Sequence, residues 1–322
     1  MCKEQRMQRF AAMALAGALV VLSLGGCSSG GEDNGSIRVV ATTTILGDLA
    51  QNVIGDAGDV AVLMPVGVNP HDFQPSAKQV AAIQKADIVV VNGLGLEEGL
   101  TDVLEAAASD GVRVWEVGPD INPRLFAEAP DTDEHDEHDE HDEGLLDPHF
   151  WLDPLKDAQA ARLLADHLFE IDPDRDWSAG AEAYVAELEN VDEESIEMLS
   201  VVADVDRKLV TNHRAFGYFS DRYDFEMIGT VIPGGATLAN PSSSELASLV
   251  ETIEREQVPA IFTETVESDT LARTVAAEVG YDIEIVELYT GSLGEPGTEG
   301  DTLVGLLRTN ARRIADALGT DR

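Results

Sequence analysis

Cysteine is nearly absent from this 322-residue chain: only Cys2 and Cys27 occur, both within the first thirty residues. No disulfide framework or cysteine metal cluster is therefore available to the rest of the chain. Positive charge is scarce as well. Lys and Arg number 21 against 61 Asp and Glu, a formal net charge of -40. Such a surface repels phosphate backbones and anionic lipid heads, which excludes nucleic acid as a partner. It suits cations, or a saline medium that screens self-repulsion. After residue 24 no long apolar run occurs, so nothing beyond the N-terminus reads as a membrane span. Nucleotide and hydrolase signatures are missing too: there is no G-x-x-x-x-G-K-[ST], H-E-x-x-H or G-x-S-x-G. Gly93-Leu-Gly95-Leu-Glu-Glu-Gly99 follows an expected strand, but its spacing is G-x-G-x-x-x-G and Glu97 and Glu98 would face a pyrophosphate. It is not a dinucleotide loop. What is present, 44% hydrophobic against 25% charged residues, suffices for a buried core. At about 150 residues per domain, the length suggests two.

The N-terminus explains both cysteines. Lys3, Arg6 and Arg9 precede an apolar run over 10–24 that ends at Leu24-Gly25-Gly26-Cys27. This is the layout of a secretory signal over 1–26, too short for a stable membrane span. The Leu-Gly-Gly-Cys ending resembles a bacterial lipobox, which would leave Cys27 as a lipidated first residue. An ordinary signal peptide or an uncleaved anchor with a chance cysteine is the plain alternative. Residues 27–36 then read as a flexible tether. The mature protein is expected to be soluble in fold but held by lipid at the outer face of the cell membrane.

Strand-like runs at 37–42, 60–64, 87–92 and 113–117 alternate with helical spacing at 46–54 and 77–85. The second half repeats the scheme, with strands at 208–212, 226–231, 260–263 and 283–288 and a helix at 244–256. This alternation predicts an α/β fold of two lobes, each a mainly parallel sheet flanked by helices. An internal echo supports the division. Ser76 with Gln79 and Ser242 with Glu245 write the same capping box before a helix that leads into a strand. Between the halves, 178–203 lacks Pro and repeats Tyr184, Leu188, Val191, Ile196, Leu199 and Val202 at near-helical spacing. A helix of about 39 Å is expected there, long enough to connect both lobes rigidly; a surface helix of one lobe is the alternative. The expected organisation is an N-terminal lobe over 37–177, a linking helix over 178–203 and a C-terminal lobe over 204–322.

Histidine carries the chemistry. His135, His138 and His141 lie in an acidic tract over 131–143 with no apolar residue to bury, which predicts a solvated, disordered loop. It would bind zinc-like ions weakly, or merely solubilise. His71, His149 and His213 instead sit at strand ends or on loops, where open α/β sheets place ligand-binding groups. Singly, each reads as an ordinary turn or surface histidine. Together, beside a histidine-rich loop, they point to a cation site. His167, inside a helical stretch, reads as structural.

Four segments carry a family resemblance: Asn69-Pro70-His71-Asp72-Phe73, Asp147-Pro148-His149-Phe150-Trp151-Leu152-Asp153-Pro154, Asn212-His213-Arg214-Ala215-Phe216-Gly217-Tyr218-Phe219, and Leu288-Tyr289-Thr290-Gly291-Ser292-Leu293 followed by Gly300-Asp301-Thr302-Leu303. In these the chain resembles the cluster A-I solute-binding proteins, the metal-binding lipoproteins of ABC importers for zinc and manganese. The resemblance implies a metal site in the cleft between two lobes joined by one long helix. His71 and His149 would come from the first lobe and His213 from the second. Manganese-type members place a carboxylate where His213 stands, so Zn²⁺ is favoured over Mn²⁺. The chain departs at Gly291, where members often supply an aspartate ligand. A water or a nearby carboxylate such as Glu264 would then complete the shell. The implied role is capture of Zn²⁺ by a monomeric, non-enzymatic protein and its delivery to an ABC permease and its ATPase. The alternatives are a manganese-binding lipoprotein of the same family, a three-histidine zinc hydrolase with an activated water, and an adhesin that borrowed the fold. No motif for a hydrolase's general base is found.

Overall fold

The computed structural model describes residues 36–126, 146–233 and 241–319. The expectations for the signal segment, Cys27 and the loop histidines His135, His138 and His141 lie outside these residues.

Two four-stranded sheets form. The first contains β1 (Ile37–Ala41), β2 (Gly58–Val62), β3 (Ile88–Val91) and β4 (Val114–Glu116) in the order β2-β1-β3-β4. The second contains β5 (Lys208–Thr211), β6 (Glu226–Thr230), β7 (Ala260–Glu264) and β8 (Glu284–Leu288) in the equivalent order β6-β5-β7-β8. Every pairing is parallel. Strands covered on both faces carry unbroken apolar runs, and the fully buried β3, Ile-Val-Val-Val, is such a run.

The first lobe is flanked by α1 (Thr44–Ile54), α2 (Ala77–Ile83), α3 (Thr101–Ser109), the single turn α4 (Val117–Asp120) and α5 (Pro154–Ile171). After α6 (Ser178–Leu199), the second lobe adds α7 (Gly217–Tyr223), α8 (Ser243–Glu256), α9 (Thr270–Glu278) and α10 (Leu303–Leu318). Both expected capping boxes form. The Ser76 amide donates to Gln79 Oε1 at 2.7 Å, and the Glu245 amide donates to Ser242 Oγ at 3.2 Å.

The linking helix is shorter than expected. Its 22 residues span about 33 Å, and it ends at Leu199. The Ser200 hydroxyl bonds back to the Glu197 carbonyl, and the Arg207 guanidinium takes the carbonyls of Leu199 and Val202. These bonds satisfy the terminal acceptors and stop the helix. Ile196, expected on the apolar stripe, is 48% exposed; Ser195 lies buried beside it instead. α6 packs against α5 and α1 on one side and α10 on the other. One apolar cluster runs from Ile37 in β1 through α5 and α6 to Phe262 in β7 and Ile314 in α10. The lobes thus share a continuous core, and only their outer faces, around Val89 and around Ile261, form separate clusters.

One acidic group is trapped beside this core. Asp157, in the first turn of α5, is fully buried, and neither carboxylate oxygen has a hydrogen-bond partner among the described residues. Burial, with the charges of Asp153 and Asp48, pushes its carboxyl well above the usual range. The native protein then keeps a proton that the unfolded chain has released, so stability falls as pH rises above the unfolded carboxylate value of about 4. Asp157→Asn removes this dependence. It should match wild type near pH 4 and melt higher near pH 7, by roughly 2–4 °C for each kcal/mol gained. Thermal melts across that range check it; a difference independent of pH would remove the buried acid as its cause.

Candidate metal centre

Each of the three histidines is held by local chemistry written around it. Asn69 caps a single 3-10 turn over Pro70–Asp72, its side-chain oxygen accepting the His71 amide at 3.1 Å, and Pro70 presets the first turn. Asp147 precedes His149 in the same relation. Its Oδ1 accepts the His149 amide at 3.0 Å and the ring Nδ1 at 2.9 Å. His213 follows β5 and meets Glu264, the last residue of the neighbouring strand β7. Glu264 Oε1 accepts both the His213 amide, at 3.2 Å, and its ring Nδ1, at 2.5 Å. An ionised carboxylate only accepts, so Nδ1 bears the hydrogen in both rings and Nε2 presents a lone pair.

Those lone pairs converge. His149 Nε2 lies 3.3 Å from His71 Nε2 and 3.2 Å from His213 Nε2. Tetrahedral zinc with bonds of about 2.0–2.1 Å separates its ligand nitrogens by roughly 3.3 Å. The two His149 pairs have that spacing, and all three side chains bring a ring nitrogen within 4.8 Å of the others, close enough to share one small ion. His149 and His213 are buried, and His71 is half-buried at the cleft. The three nitrogens face a cavity of about 10 Å³, also walled by Pro70, Trp151, Val266 and Gly291.

Electrostatics prepares the rings unequally. Burial, aided by the two neighbouring imidazoles, lowers His71 to about 2. Burial also lowers His149, although Asp147 opposes it. At His213 burial acts downward as well, but the Glu264 charge and hydrogen bond outweigh it and the net shift is upward. Two rings are therefore neutral donors at pH 7, and the third holds its proton to higher pH than an ordinary histidine.

Further residues support the site from outside. Arg124 Nη1 bonds Asp147 Oδ2 at 3.1 Å, while its Nε reaches Asp221 of the second lobe at 2.8 Å. Thr290 donates to Glu264 Oε2 at 2.7 Å. Asn92 Nδ2 donates to the Pro148 carbonyl at 3.0 Å and so fixes the turn before His149. The Gly93–Gly99 segment folds around its own acid: Glu97 accepts from Thr42 Oγ1 at 2.6 Å and from the amides of Asn92 at 2.8 Å and Gly93 at 3.1 Å. A carboxylate of the chain thus occupies the amides that a phosphate would need. Across the cleft, Trp151 Nε1 donates to the Thr290 carbonyl and the Gly67 amide to Ser292 Oγ, both at 2.9 Å.

One expectation needs correcting. Glu264 lines the cavity but is not among the side chains whose ligand atoms converge; its oxygens accept from His213 Nδ1 and Thr290, an arrangement that orients a ligand from behind. Gly291 does line the cavity, but a Cβ there would sit 2.6 Å from Pro70 Cδ, so Pro70 fills the space that a side chain at 291 would need. His167 is apart from the cluster, its ring 4.7 Å from that of Trp115. The roles of Asp147, Asn69 and Arg124 were missed. A signal existed for the first two. Asn-Pro-His at 69–71 and Asp-Pro-His at 147–149 both place an Asx acceptor two residues before a histidine amide.

Comparison with known proteins agrees with this geometry. Residues 39–317 match the family described as ZnuA, zinc-uptake complex component A, periplasmic. The manganese-binding lipoprotein MntA of Halalkalibacterium halodurans is 29% identical over 308 residues, covering 93% of this chain and 96% of that protein. The zinc-binding lipoprotein AdcA of Streptococcus pneumoniae is 27% identical over 302 residues, covering 93% of this chain and 59% of the longer relative. Among solved structures, the periplasmic zinc-binding protein TroA from Treponema pallidum superposes with a TM-score of 0.77 at 26% identity, covering 88% of this chain and all of that one. With its paired parallel sheets, long linking helix and histidine cluster in the cleft, this chain belongs to the ZnuA family, the metal-binding solute-binding proteins of ABC importers, which are not enzymes.

Proposed function

We propose that the protein captures a single Zn²⁺ outside the cytoplasm through His71, His149 and His213 and delivers it to an ABC permease driven by its ATPase. The observation that carries the reading is the convergence of three ring nitrogens within 4.8 Å of one another, two of the pairs at 3.2–3.3 Å, with no carboxylate oxygen joining them among the described residues. Manganese prefers more oxygen ligands than this set supplies, whereas zinc tolerates three imidazoles and one oxygen. The fourth position falls to a water. The relative named for manganese keeps Mn²⁺ as the second reading. No helix of the described residues is long and apolar enough to cross a membrane. By the Leu24-Gly25-Gly26-Cys27 ending and the lipoprotein relatives, the reading places the protein at the outer face of the membrane through a lipid on Cys27, acting as a monomer.

Metal analysis and competitive titration test it: one tight ion per chain is expected, with Zn²⁺ displacing Mn²⁺. A preference for Mn²⁺ would transfer the reading to that ion. Deleting 131–143 should remove weakly bound zinc while leaving the tight ion, because an unstructured tract must be ordered on binding and is held loosely. Loss of the tight ion on deletion would place the loop in the primary site.

A further inference from the structure

His149 and His213 each have a carboxylate on Nδ1, whereas among the described residues His71 has none. The position of His71 rests on its backbone, through Asn69. The Asn69 amide faces two ways: Oδ1 accepts from the His71 amide, and Nδ2 donates to Glu267 Oε1 in the second lobe. Glu267 stands one turn after β7, its amide bonded to the Glu264 carbonyl at 3.3 Å. Glu264 and Glu267 thus lie on one short turn. The first holds His213 within its own lobe, and the second reaches His71 across the cleft.

We propose that Asn69 and Glu267 form an inter-lobe clasp that positions His71 and sets how fast the bound ion leaves. Asp147–His149 and Glu264–His213 each join residues of one lobe, so separating the lobes leaves both intact. The Asn69–Glu267 bond crosses the cleft and is broken by the same movement. His71 is also the most exposed of the three histidines. Glu267 faces the negative charges of Glu264 and Asp72, and the Asn69 hydrogen bond, with the nearby His213 ring, offsets their repulsion. Once the clasp opens, His71 is the first ligand free to swing away, while the other two stay aligned.

The inference rests on the metal-capture reading, and its test separates the two. Zinc release into excess chelator is followed by stopped flow, with association rates measured in parallel. Glu267→Ala should speed release roughly tenfold or more, the worth of a hydrogen bond to a charged group, and leave association within about twofold. Asn69→Asp keeps the acceptor for the His71 amide but sets two carboxylates against each other, and should speed release likewise. Adding Glu267→Gln to Asn69→Asp restores a donor–acceptor pair and should bring release back toward wild type. The visible spectrum of the Co²⁺-loaded protein should be the same in all variants, because the donors are unchanged. Unaltered release in Glu267→Ala, failure of the double variant to recover, or a changed Co²⁺ spectrum (the mark of Glu267 as a direct ligand) would each overturn the clasp. Failure of the wild-type protein to bind zinc would instead overturn the metal-capture reading itself.

Discussion

His149→Ala should lower zinc affinity by roughly a thousandfold, the largest loss of any single substitution. Its Nε2 is the atom common to both short contacts in the cluster, so its removal leaves two donors without a third between them. Loss of a group that merely orients a ligand costs about 10–100-fold, and loss of the ligand must cost more. His71→Ala and His213→Ala should follow closely. Asp147→Ala and Glu264→Ala should fall in the 10–100-fold range, and His167→Ala should leave affinity unchanged. Chelator-competition titrations rank the set; near-native affinity in any of the three histidine variants removes that residue from the site. The pH dependence separates orientation from ligation. His213 titrates above its ordinary value because of Glu264. A proton therefore competes there, and affinity should fall about tenfold per unit as pH drops below that titration. In Glu264→Ala the upward influence is lost while burial remains, so the fall should begin at lower pH.

The α/β pattern was legible because parallel strands buried on both faces must be written as apolar runs, as β3 is. Both capping boxes were legible because they are local, each closed within four residues. The three histidines were picked out for a related reason: strand ends and loops in such sheets are where ligand-binding side chains gather, and the structure brings the three together. What escaped depends on sheet order. Glu264 and His213 are 51 residues apart, and only the adjacency of β5 and β7 brings the carboxylate behind the ring. Read along the chain, an acid near a metal site looks like a ligand; its ring-nitrogen partner shows that it positions one. The shared core was hidden likewise. Two α/β halves suggest two separate interiors, but α5, α6 and α10 fuse them on one side. Opening of the cleft would therefore work against polar contacts such as Trp151–Thr290, while the opposite side of the molecule stays packed.

The same closeness of the lobes reshapes the expected effect of restoring an aspartate at 291. A carboxylate there would add the oxygen ligand that manganese prefers. The added Cβ, however, would lie 2.6 Å from Pro70 Cδ, and Pro70 is the residue before His71. Any side chain at 291 must push that turn outward, so two effects superpose and need two variants. Gly291→Ala supplies the Cβ alone. Overpacking of this kind costs about 1–3 kcal/mol, so zinc and manganese affinity should both fall by roughly 5- to 150-fold as His71 is displaced. Gly291→Asp should carry the same displacement and regain part of it through its carboxylate, manganese recovering more than zinc. Measured against Gly291→Ala, the aspartate variant should therefore shift the zinc-to-manganese ratio toward manganese by about tenfold, the worth of one charged ligand contact. Competition titrations of both ions on the three proteins decide it. If Ala leaves both affinities intact, Pro70 yields without moving His71. If Asp and Ala give the same ratio, the carboxylate does not reach the ion and zinc preference is set by the three imidazoles alone.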